Sequence, residues 1–281
     1  MLNITNLCKE YEGFKLDNVS FYLPKGYIMG LVGKNGAGKS TTIKSIMNIL
    51  DFQGEILVNG HGNIADEMPV KQAVGVVVDL PFFPITFTLE QVGKYAGAFY
   101  ENWDRDTYYN LLNKFGLSSK KKVSELSRGM GVKLQLAVAL SHKARLLVLD
   151  EPTSGLDPVA RDELMDILME FIEDGENSVL FSTHISADLE KIADYVTILS
   201  NGKVFYTGEK DILMEQYDII KGDYSKVDDK MKKDLIGLRR YGDSFEAMIS
   251  KENYKSYDAN LFQTESAKID DVLIYAERSD G

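Results

Sequence analysis

The segment Gly33-Lys34-Asn35-Gly36-Ala37-Gly38-Lys39-Ser40 joins the apolar run 27–32 to a helical pattern at 42–47. It matches GxxxxGK[ST], the pattern of a loop that binds nucleotide phosphates. Its glycines let backbone N–H groups point at phosphate oxygens, and the positive end of the following helix faces the same anion. A glycine-rich turn without a ligand is the alternative, but the complete motif between a strand and a helix makes it the weaker interpretation. The sequence therefore predicts a nucleoside triphosphate site.

The chemistry of phosphate and Mg²⁺ predicts separate roles within this loop. Lys39 can reach the β- and γ-phosphates, and the hydroxyl of Ser40 can ligate Mg²⁺. We expect the nucleotide also to contact the other residues of the loop and the threonine after it: Gly33, Asn35, Gly36, Ala37, Gly38 and Thr41.

Short apolar runs alternate with helical patterns through most of the chain. The runs are apolar on both faces, as in a parallel sheet covered by helices on two sides, and they lie at 27–32, 74–78, 146–149, 179–181 and 196–199. The clearest helix begins at Asp157-Pro158 and ends at Gly175. This alternation predicts an α/β fold with a doubly wound sheet.

Three parts of the chain depart from this alternation. Residues 2–8, 14–22 and 54–60 are short strands separated by turn residues, which predict an antiparallel sheet beside the main core. Residues 88–142 lack an apolar strand and predict a helical insertion. Residues 209–281 show few strong strands and many Tyr and Asp, so we predict a small separate appendage there.

A second acidic element follows the apolar run 146–149. Asp150 is placed to hold Mg²⁺, directly or through water, and Glu151 is placed to polarise an attacking water. The alternative is that this pair caps the next helix, but Pro152 and Thr153 come before any helix starts. A carboxylate that activates water favours hydrolysis over transfer to an acceptor. The guanine-selecting motif Asn-Lys-x-Asp is not found in the sequence.

Three further motifs make the chain resemble the ATP-binding-cassette (ABC) ATPases. Leu126-Ser127-Arg128-Gly129-Met130 lies 20 residues before Leu146 and resembles the family signature, which usually reads Leu-Ser-Gly-Gly-Gln. Ser154-Gly155-Leu156-Asp157 matches the D-loop of the family, and His184 matches its switch histidine. The order and spacing of the motifs across residues 11–208 exclude coincidence. A phosphate-loop kinase would leave the signature and His184 unexplained.

The resemblance implies a P-loop NTPase fold with a mixed RecA-like core, an antiparallel β subdomain and a helical subdomain at about 88–142. These form a nucleotide-binding domain over residues 1–208, followed by an accessory region over 209–281. It further implies an ATPase that uses ATP and Mg²⁺ and works as a head-to-tail homo- or heterodimer. Such a dimer powers separate transmembrane permease subunits from the cytoplasmic face of the membrane. The chain is similar in particular to exporters of peptide antibiotics and toxins, so we expect peptides or drugs as cargo.

In such a dimer, two signature residues would contact the γ-phosphate held by the partner's phosphate loop: Ser127 and Gly129. Asp157 of the D-loop would contribute to nucleotide binding. The alternative is that the signature is an ordinary helix start with Ser127 as its cap. The presence of the other motifs disfavours this alternative.

Two more residues gain roles from the resemblance. His184 would hold phosphate and water in line with Glu151, although a histidine at a strand end is often only a polar surface residue. His61 and His142 are expected to be such surface residues. Tyr11 would stack on adenine, with simple packing as the alternative.

Two motifs depart from the family pattern, at three positions. Asp79 stands where the family usually has Gln, and we expect its carboxylate to contact Mg²⁺ or its water. Arg128 stands in place of Gly and Met130 in place of Gln. Arg128 could add a cation at the γ-phosphate, but we expect it to point outward into solvent.

An apolar segment follows Asp79 and reads Pro81-Phe82-Phe83-Pro84-Ile85-Thr86-Phe87. With Tyr95, Phe99, Tyr100 and Trp103 it is predicted to line a groove for a short cytoplasmic helix of the membrane subunit. The alternative is that these aromatics build the core of the helical insertion. We expect about half of them to do so, because aromatic residues serve cores as readily as interfaces.

Composition limits the classes of protein. With 32 Lys+Arg against 43 Asp+Glu the net charge is −11, which argues against nucleic-acid binding because that needs a basic face. No apolar run approaches the roughly 18 residues of a membrane-spanning helix, the start does not read as a secretory signal, and the single Cys8 fits a reducing cytoplasm. A soluble cassette ATPase acting on ribosomes or DNA is the alternative. Such proteins usually carry paired cassettes or a long coiled-coil insert, and neither is found in this sequence.

Overall fold

The computed structural model describes residues 1–79, 82–258 and 261–278. The strands are β1 Leu2–Tyr11, β2 Phe14–Leu23, β3 Ile28–Val32, β4 Gln53–Val58, β5 His61–Gly62, β6 Val74–Val77, β7 Leu146–Leu149, β8 Ser178–Thr183, β9 Tyr195–Ser200, β10 Lys203–Glu209, β11 Tyr217–Asp223, β12 Leu235–Tyr241, β13 Ser244–Ser250 and β14 Phe262–Ser266. The helices are α1 Lys39–Ile46, α2 Glu67–Ala73, α3 Leu89–Phe99, α4 Arg105–Lys114, α5 Arg128–Ser141, α6 Pro158–Ile172, α7 Ser186–Ile192, α8 Lys210–Gln216, α9 Asp229–Asp234, α10 Lys251–Tyr254 and α11 Ile269–Ala276. None of the helices in these described ranges has the length and apolar character needed to cross a membrane.

The central sheet has the strand order β10-β9-β3-β8-β7-β6. Strands β9, β3, β8, β7 and β6 run parallel, whereas β10 pairs with β9 in the antiparallel direction. This confirms the predicted α/β fold and all five predicted strands. Because parallel strands end at the same edge of a sheet, the loops after β3, β7 and β8 meet at one place.

The central sheet is buried on both faces, which explains its continuous apolar strands. On β7, Leu146 and Val148 pack into a core shared with α1 and with β1, β2 and β4. Leu147 and Leu149 point the other way, into a core shared with α5, α6 and α7. Helix α6 begins at the predicted proline, and Gly175 follows its end with φ 73°.

A second sheet has the order β2-β1-β4-β5 and is antiparallel throughout. It confirms the antiparallel sheet predicted from 2–8, 14–22 and 54–60, although β1 and β2 are longer than predicted. This sheet covers one face of the central sheet and supports the phosphate loop from the side.

The predicted helical character of residues 88–142 is confirmed by α3, α4 and α5. Each helix begins with a side-chain cap, supplied by Thr88, Asp104 and Ser127. These helices enclose a core of their own around Tyr108, which is fully buried and whose hydroxyl donates to the Leu89 carbonyl at 2.7 Å. Helix α5 also packs against β6 through its other face, so it joins the helical part to the central sheet.

The expectation of few strands after residue 209 is wrong. Strands β11 to β14 form an antiparallel sheet of order β12-β13-β11-β14. With α9 and α10 this gives the chain order β-α-β-β-α-β, the split βαβ arrangement. The sequence does not predict these strands because several of them contain few apolar residues. In β14, for example, only Phe262 is buried.

The face of this third sheet opposite α9 and α10 is turned toward the rest of the chain. Ile219, Met248 and Val272 belong to the same apolar core as α5, α6 and α7. Just after α11, Glu277 forms an ion pair with Lys34 of the phosphate loop. The division of the chain into units 1–208 and 209–281 therefore stays a prediction.

Candidate functional site

The carboxyl edge of the central sheet brings together three predicted residues from three loops. Lys39 follows the loop after β3, Glu151 follows β7 and His184 follows β8. Glu151 Oε1 lies 3.3 Å from Lys39 Nζ, and Glu151 Oε2 lies 2.7 Å from His184 Nδ1. One carboxylate thus bridges a lysine and a histidine.

The phosphate loop folds around the ammonium group of Lys39. Lys39 Nζ donates to the carbonyl oxygens of Gly33 at 2.7 Å and Lys34 at 3.3 Å, and the side chain is only 5% exposed. Gly36 and Gly38 have φ values of 87° and 112°, which glycine adopts without the steric cost that a Cβ brings. This arrangement has the form of an anion cradle at the start of α1.

Ser40 and Asp150 form a pair of oxygen donors beside this loop. Ser40 Oγ donates to Asp150 Oδ1 at 3.2 Å, and Ser182 Oγ donates to the same oxygen at 2.6 Å. In the described residues, no three His, Cys, Asp or Glu side chains cluster as a metal cage. Nucleotide-bound Mg²⁺ typically uses one or two protein oxygens together with phosphates and water. The hydroxyl and carboxylate present here fit such an ion.

Glu151 has an unusual backbone conformation. Its φ of 48° lies in the left-handed region, which costs a residue other than glycine on the order of 1–3 kcal/mol. Its backbone N–H donates to Ser182 Oγ at 2.9 Å, and its side chain is 21% exposed. Strain of this kind is retained where surrounding contacts hold it, and it concentrates at functional sites.

Two polar residues without a predicted role hold these loops together. Ser182 links Asp150 to the backbone of Glu151, as described above. Asp188 is 1% exposed and accepts hydrogen bonds from Thr153 Oγ1 at 2.7 Å and from Arg161 Nε at 2.5 Å. The role of Ser182 could have been found from the sequence, because it lies just before Thr183-His184. Asp188 lies inside a helical pattern, and the sequence carries no signal of its role.

The signature and the D-loop aspartate lie apart from this cluster. Ser127 is exposed and caps α5, and Asp157 caps α6 by accepting two backbone N–H bonds at 3.0 Å. In the three described ranges no hydrogen bond joins Ser127, Gly129 or Asp157 to the phosphate loop. A single chain therefore does not bring the signature to its own phosphate loop.

Arg128 is exposed, as expected, but its charge is paired. Its Nη2 atom lies 2.8 Å from Asp79 Oδ1, and its side chain is 35% exposed. The ion pair joins two of the three positions at which the chain departs from the family pattern. Asp79 lies just beyond β6, and its expected contact with Mg²⁺ stays a prediction.

Tyr11 lies at the end of β1 and is 42% exposed. Its ring stacks on Phe14 with the centroids 6.5 Å apart, and Lys9 Nζ lies 5.5 Å from its centroid. The Phe14 ring in turn approaches Gly38 so closely that a Cβ there would lie 3.2 Å from it. An exposed aromatic ring thus stands near the phosphate loop, which suits the predicted stacking on adenine.

The predicted apolar groove is present between α2, α3 and the start of the helical part, with a volume of about 820 Å³. Phe82, Tyr95 and Phe99 line it and are 64%, 53% and 73% exposed. Four other aromatics of the predicted set pack against the helical core: Phe83, Phe87, Tyr100 and Trp103. Three of these four, Phe83, Phe87 and Tyr100, also line the groove, so groove and core share residues. The expectation that about half of the aromatics pack in the core is confirmed. Pro81 lies outside the described residues.

His142 is not the surface residue that was expected. It is 2% exposed, and its ring stacks on Tyr100 with the centroids 3.8 Å apart and an angle of 4° between the planes. Burial lowers the pKa of His142 from 6.5 to about 4. Its Nδ1 has no hydrogen-bond partner among the described residues. His61, in contrast, is exposed as expected.

We predict that His142→Phe makes folding less sensitive to acid. In the folded chain the ring of His142 stays neutral to about pH 4, whereas in the unfolded chain it takes up a proton near pH 6.5. Stability is therefore complete above pH 6.5 and falls as the pH drops toward 4, by about 2 kcal/mol between pH 7 and pH 5. Urea unfolding at both pH values measures this loss. His142→Phe should remove it and the control His61→Phe should keep it; equal pH dependence in all three proteins would contradict the assignment.

Comparison with known proteins gives consistent matches. The family model described as ABC transporter matches residues 16–154. The chain is 32% identical to the lantibiotic transport ATP-binding protein SrtF of Streptococcus pyogenes, over 78% of the chain and 92% of SrtF. It is 29% identical to the bacitracin transport ATP-binding protein BcrA of Bacillus licheniformis, over 73% of the chain and 68% of BcrA. A solved ATP-binding subunit of an ABC transporter is 30% identical with a TM-score of 0.69, over 76% of the chain and 91% of that subunit.

Proposed function

The chain belongs to the ABC transporter family, and on that premise we propose that it drives a membrane exporter of peptides or drugs. As a member of this family it binds and hydrolyses ATP. The observation that carries the proposal is the contact of Glu151 with both Lys39 and His184 beside the phosphate loop. The relatives SrtF and BcrA, named for the transport of a lantibiotic and of bacitracin, support peptide-like cargo.

In the proposed reaction Glu151 accepts the proton of the attacking water. The bond between Glu151 and His184 holds the carboxylate in place, and His184 also meets the γ-phosphate. Lys39 neutralises charge on the β- and γ-phosphates. Bound Mg²⁺, held by Ser40 and Asp150 with Asp79 as a further contact, supplies positive charge against the phosphate oxygens.

The proposed working unit is a head-to-tail dimer with this chain as one or both subunits. Ser127 caps α5 with an exposed hydroxyl, and Gly129 adds a backbone N–H in the first turn of that helix. A helix N-terminus of this kind favours an anion. Because Ser127 and Gly129 lie apart from the chain's own phosphate loop, the phosphate that they meet is the one held by the second subunit. ATP therefore closes the dimer, and hydrolysis lets it open.

The proposed second partner is a transmembrane permease subunit, which places the chain at the cytoplasmic face of the membrane. The groove lined by Phe82, Tyr95 and Phe99 is exposed and apolar, as a docking site for a short helix needs to be. A net charge of −11 disfavours binding to nucleic acid. The relatives named above are transport proteins, so they give no support to action on ribosomes or DNA.

We predict that Phe82→Ala lowers the affinity for the permease subunit by about tenfold, because the variant loses one exposed aromatic anchor. The side chain of Phe82 is 64% exposed, so ATP binding and thermal stability should stay as in the wild type. Co-purification of the tagged chain with a multi-span membrane protein measures the effect. Phe83→Ala should instead lower stability, because Phe83 packs against the helical core.

The matched control is Tyr22→Ala, which removes an equally exposed aromatic from β2, away from the groove. It should leave co-purification unchanged. If the wild-type chain captures no membrane protein, the transporter proposal is contradicted. If Phe82→Ala and Tyr22→Ala behave alike, the groove is not the docking site.

A further inference from the structure

A single arginine joins three segments around the nucleotide site. Arg128 begins α5 and pairs with Asp79 after β6 at 2.8 Å. Its guanidinium also lies against the D-loop, since a Cβ built on Gly155 would be 3.2 Å from Arg128 Nη1. The guanidinium group of Arg128 thus lies against the segments that carry Asp79 and Gly155.

The backbone before Asp79 is held to the same helix by a different and more buried contact. Gln135 is 3% exposed; its Oε1 accepts from the Val78 N–H at 3.0 Å and its Nε2 donates to the Val78 carbonyl at 2.9 Å. The side chain of Asp79, one residue on, is 64% exposed. A buried amide contact therefore lies beside an ion pair that is exposed to solvent.

We propose that Arg128 is a positioning residue that holds Asp79 in an exchangeable ion pair and so links the two nucleotide sites of the dimer. The proposal rests on the dimer described under the proposed function. Under the proposed function Asp79 contacts the magnesium ion of the chain's own site, whereas Arg128 is part of the signature presented to the partner's site. When Asp79 turns to the metal in its own site, Arg128 is released toward the triphosphate bound by the partner.

The charges make this exchange possible. Exposed ion pairs contribute little to stability, so the pair opens readily. A divalent cation attracts the Asp79 carboxylate more strongly than a monovalent guanidinium does. Without the metal, an unpaired Asp79 would repel the triphosphate, and Arg128 cancels that repulsion. Arg128, in place of the usual glycine, and Asp79, in place of the usual glutamine, therefore form a matched pair of charges.

The test is a double-mutant cycle on ATP binding to the full chain in EDTA, where no metal competes for Asp79. Arg128→Gln should raise the Kd for ATP about fivefold, the size expected for one exposed charge interaction. Asp79→Asn should lower the Kd, because it removes a negative charge beside the triphosphate and leaves the charge of Arg128 unpaired. The double variant should lie within about twofold of the wild type, and Arg128→Lys should restore binding. Thermal melting checks that all four variants fold.

The link is overturned if both single variants shift the Kd in the same direction or if their effects add in the double variant. A second measurement follows ATP-driven dimer formation with Mg²⁺ in the Glu151→Gln background. There Arg128→Gln should raise the ATP concentration at the midpoint. A Glu151→Gln chain that stays monomeric would count against the proposed function, whereas additivity in the cycle counts against the link alone.

Discussion

Replacing Glu151 by glutamine is expected to lower ATP turnover by about 10²–10⁴-fold while ATP binding is kept. The amide has the same shape as the carboxylate but cannot accept the proton of the attacking water. In the wild-type chain Lys39 Nζ lies 3.3 Å from Glu151 Oε1. In the variant Lys39 keeps an oxygen partner, because the glutamine carbonyl oxygen can take the place of Oε1. The bound dimer should therefore form and fail to turn over.

Phosphate release and ATP binding, measured on the same protein preparation, separate these two effects. Glu176→Gln is a suitable control because that carboxylate is exposed and pairs with Lys25 before the start of β3, at the edge of the central sheet opposite the site. It should turn over ATP at the wild-type rate. Turnover of Glu151→Gln within about threefold of the wild type would remove Glu151 as the general base.

Replacing Lys39 by methionine is expected to weaken ATP binding by about 10- to 100-fold. A hydrogen bond to a charged group contributes roughly 1.5–3 kcal/mol, and each 1.4 kcal/mol is a factor of ten. The carbonyl oxygens of Gly33 and Lys34 hold Lys39 Nζ within the loop, so it can meet a phosphate oxygen there by giving up its contact with Glu151. Methionine keeps the apolar length of the side chain and removes only the charge.

Lys34→Met is the matched control for this prediction. Lys34 lies in the same loop, but its side chain is 55% exposed and pairs with Glu277 instead of filling the loop. Its loss should change the Kd for ATP by less than about threefold, because exposed charges contribute little. Calorimetric titration measures both variants. Equal losses for Lys34→Met and Lys39→Met would mean that net charge, and not the geometry of the loop, governs binding.

The elements that the sequence predicted well are those governed by local patterns. Strands buried on both faces, such as β7, carry an unbroken apolar run, and a phosphate loop needs glycine at positions such as Gly36 and Gly38. Asp157 and Pro158 predicted the start of α6 for the same reason, since a helix cap depends on adjacent residues.

What the sequence did not reveal depends on partners that are distant in the chain. Arg128 pairs with Asp79, and His142 is buried because Tyr100 stacks on it. Strand β14 exposes most of its side chains and is recognised only through its pairing with β11. Such contacts depend on the assembled fold, and no local sequence pattern predicts them.

The measurement that tests the account most directly is the mass of the Glu151→Gln chain in solution, by light scattering, with and without saturating ATP. The account predicts 31.5 kDa without ATP and twice that mass with ATP and Mg²⁺. It also predicts that adding Ser127→Arg abolishes the change, because the signature would then clash with the partner's nucleotide. A Glu151→Gln chain that binds ATP and remains at 31.5 kDa would contradict the shared nucleotide site.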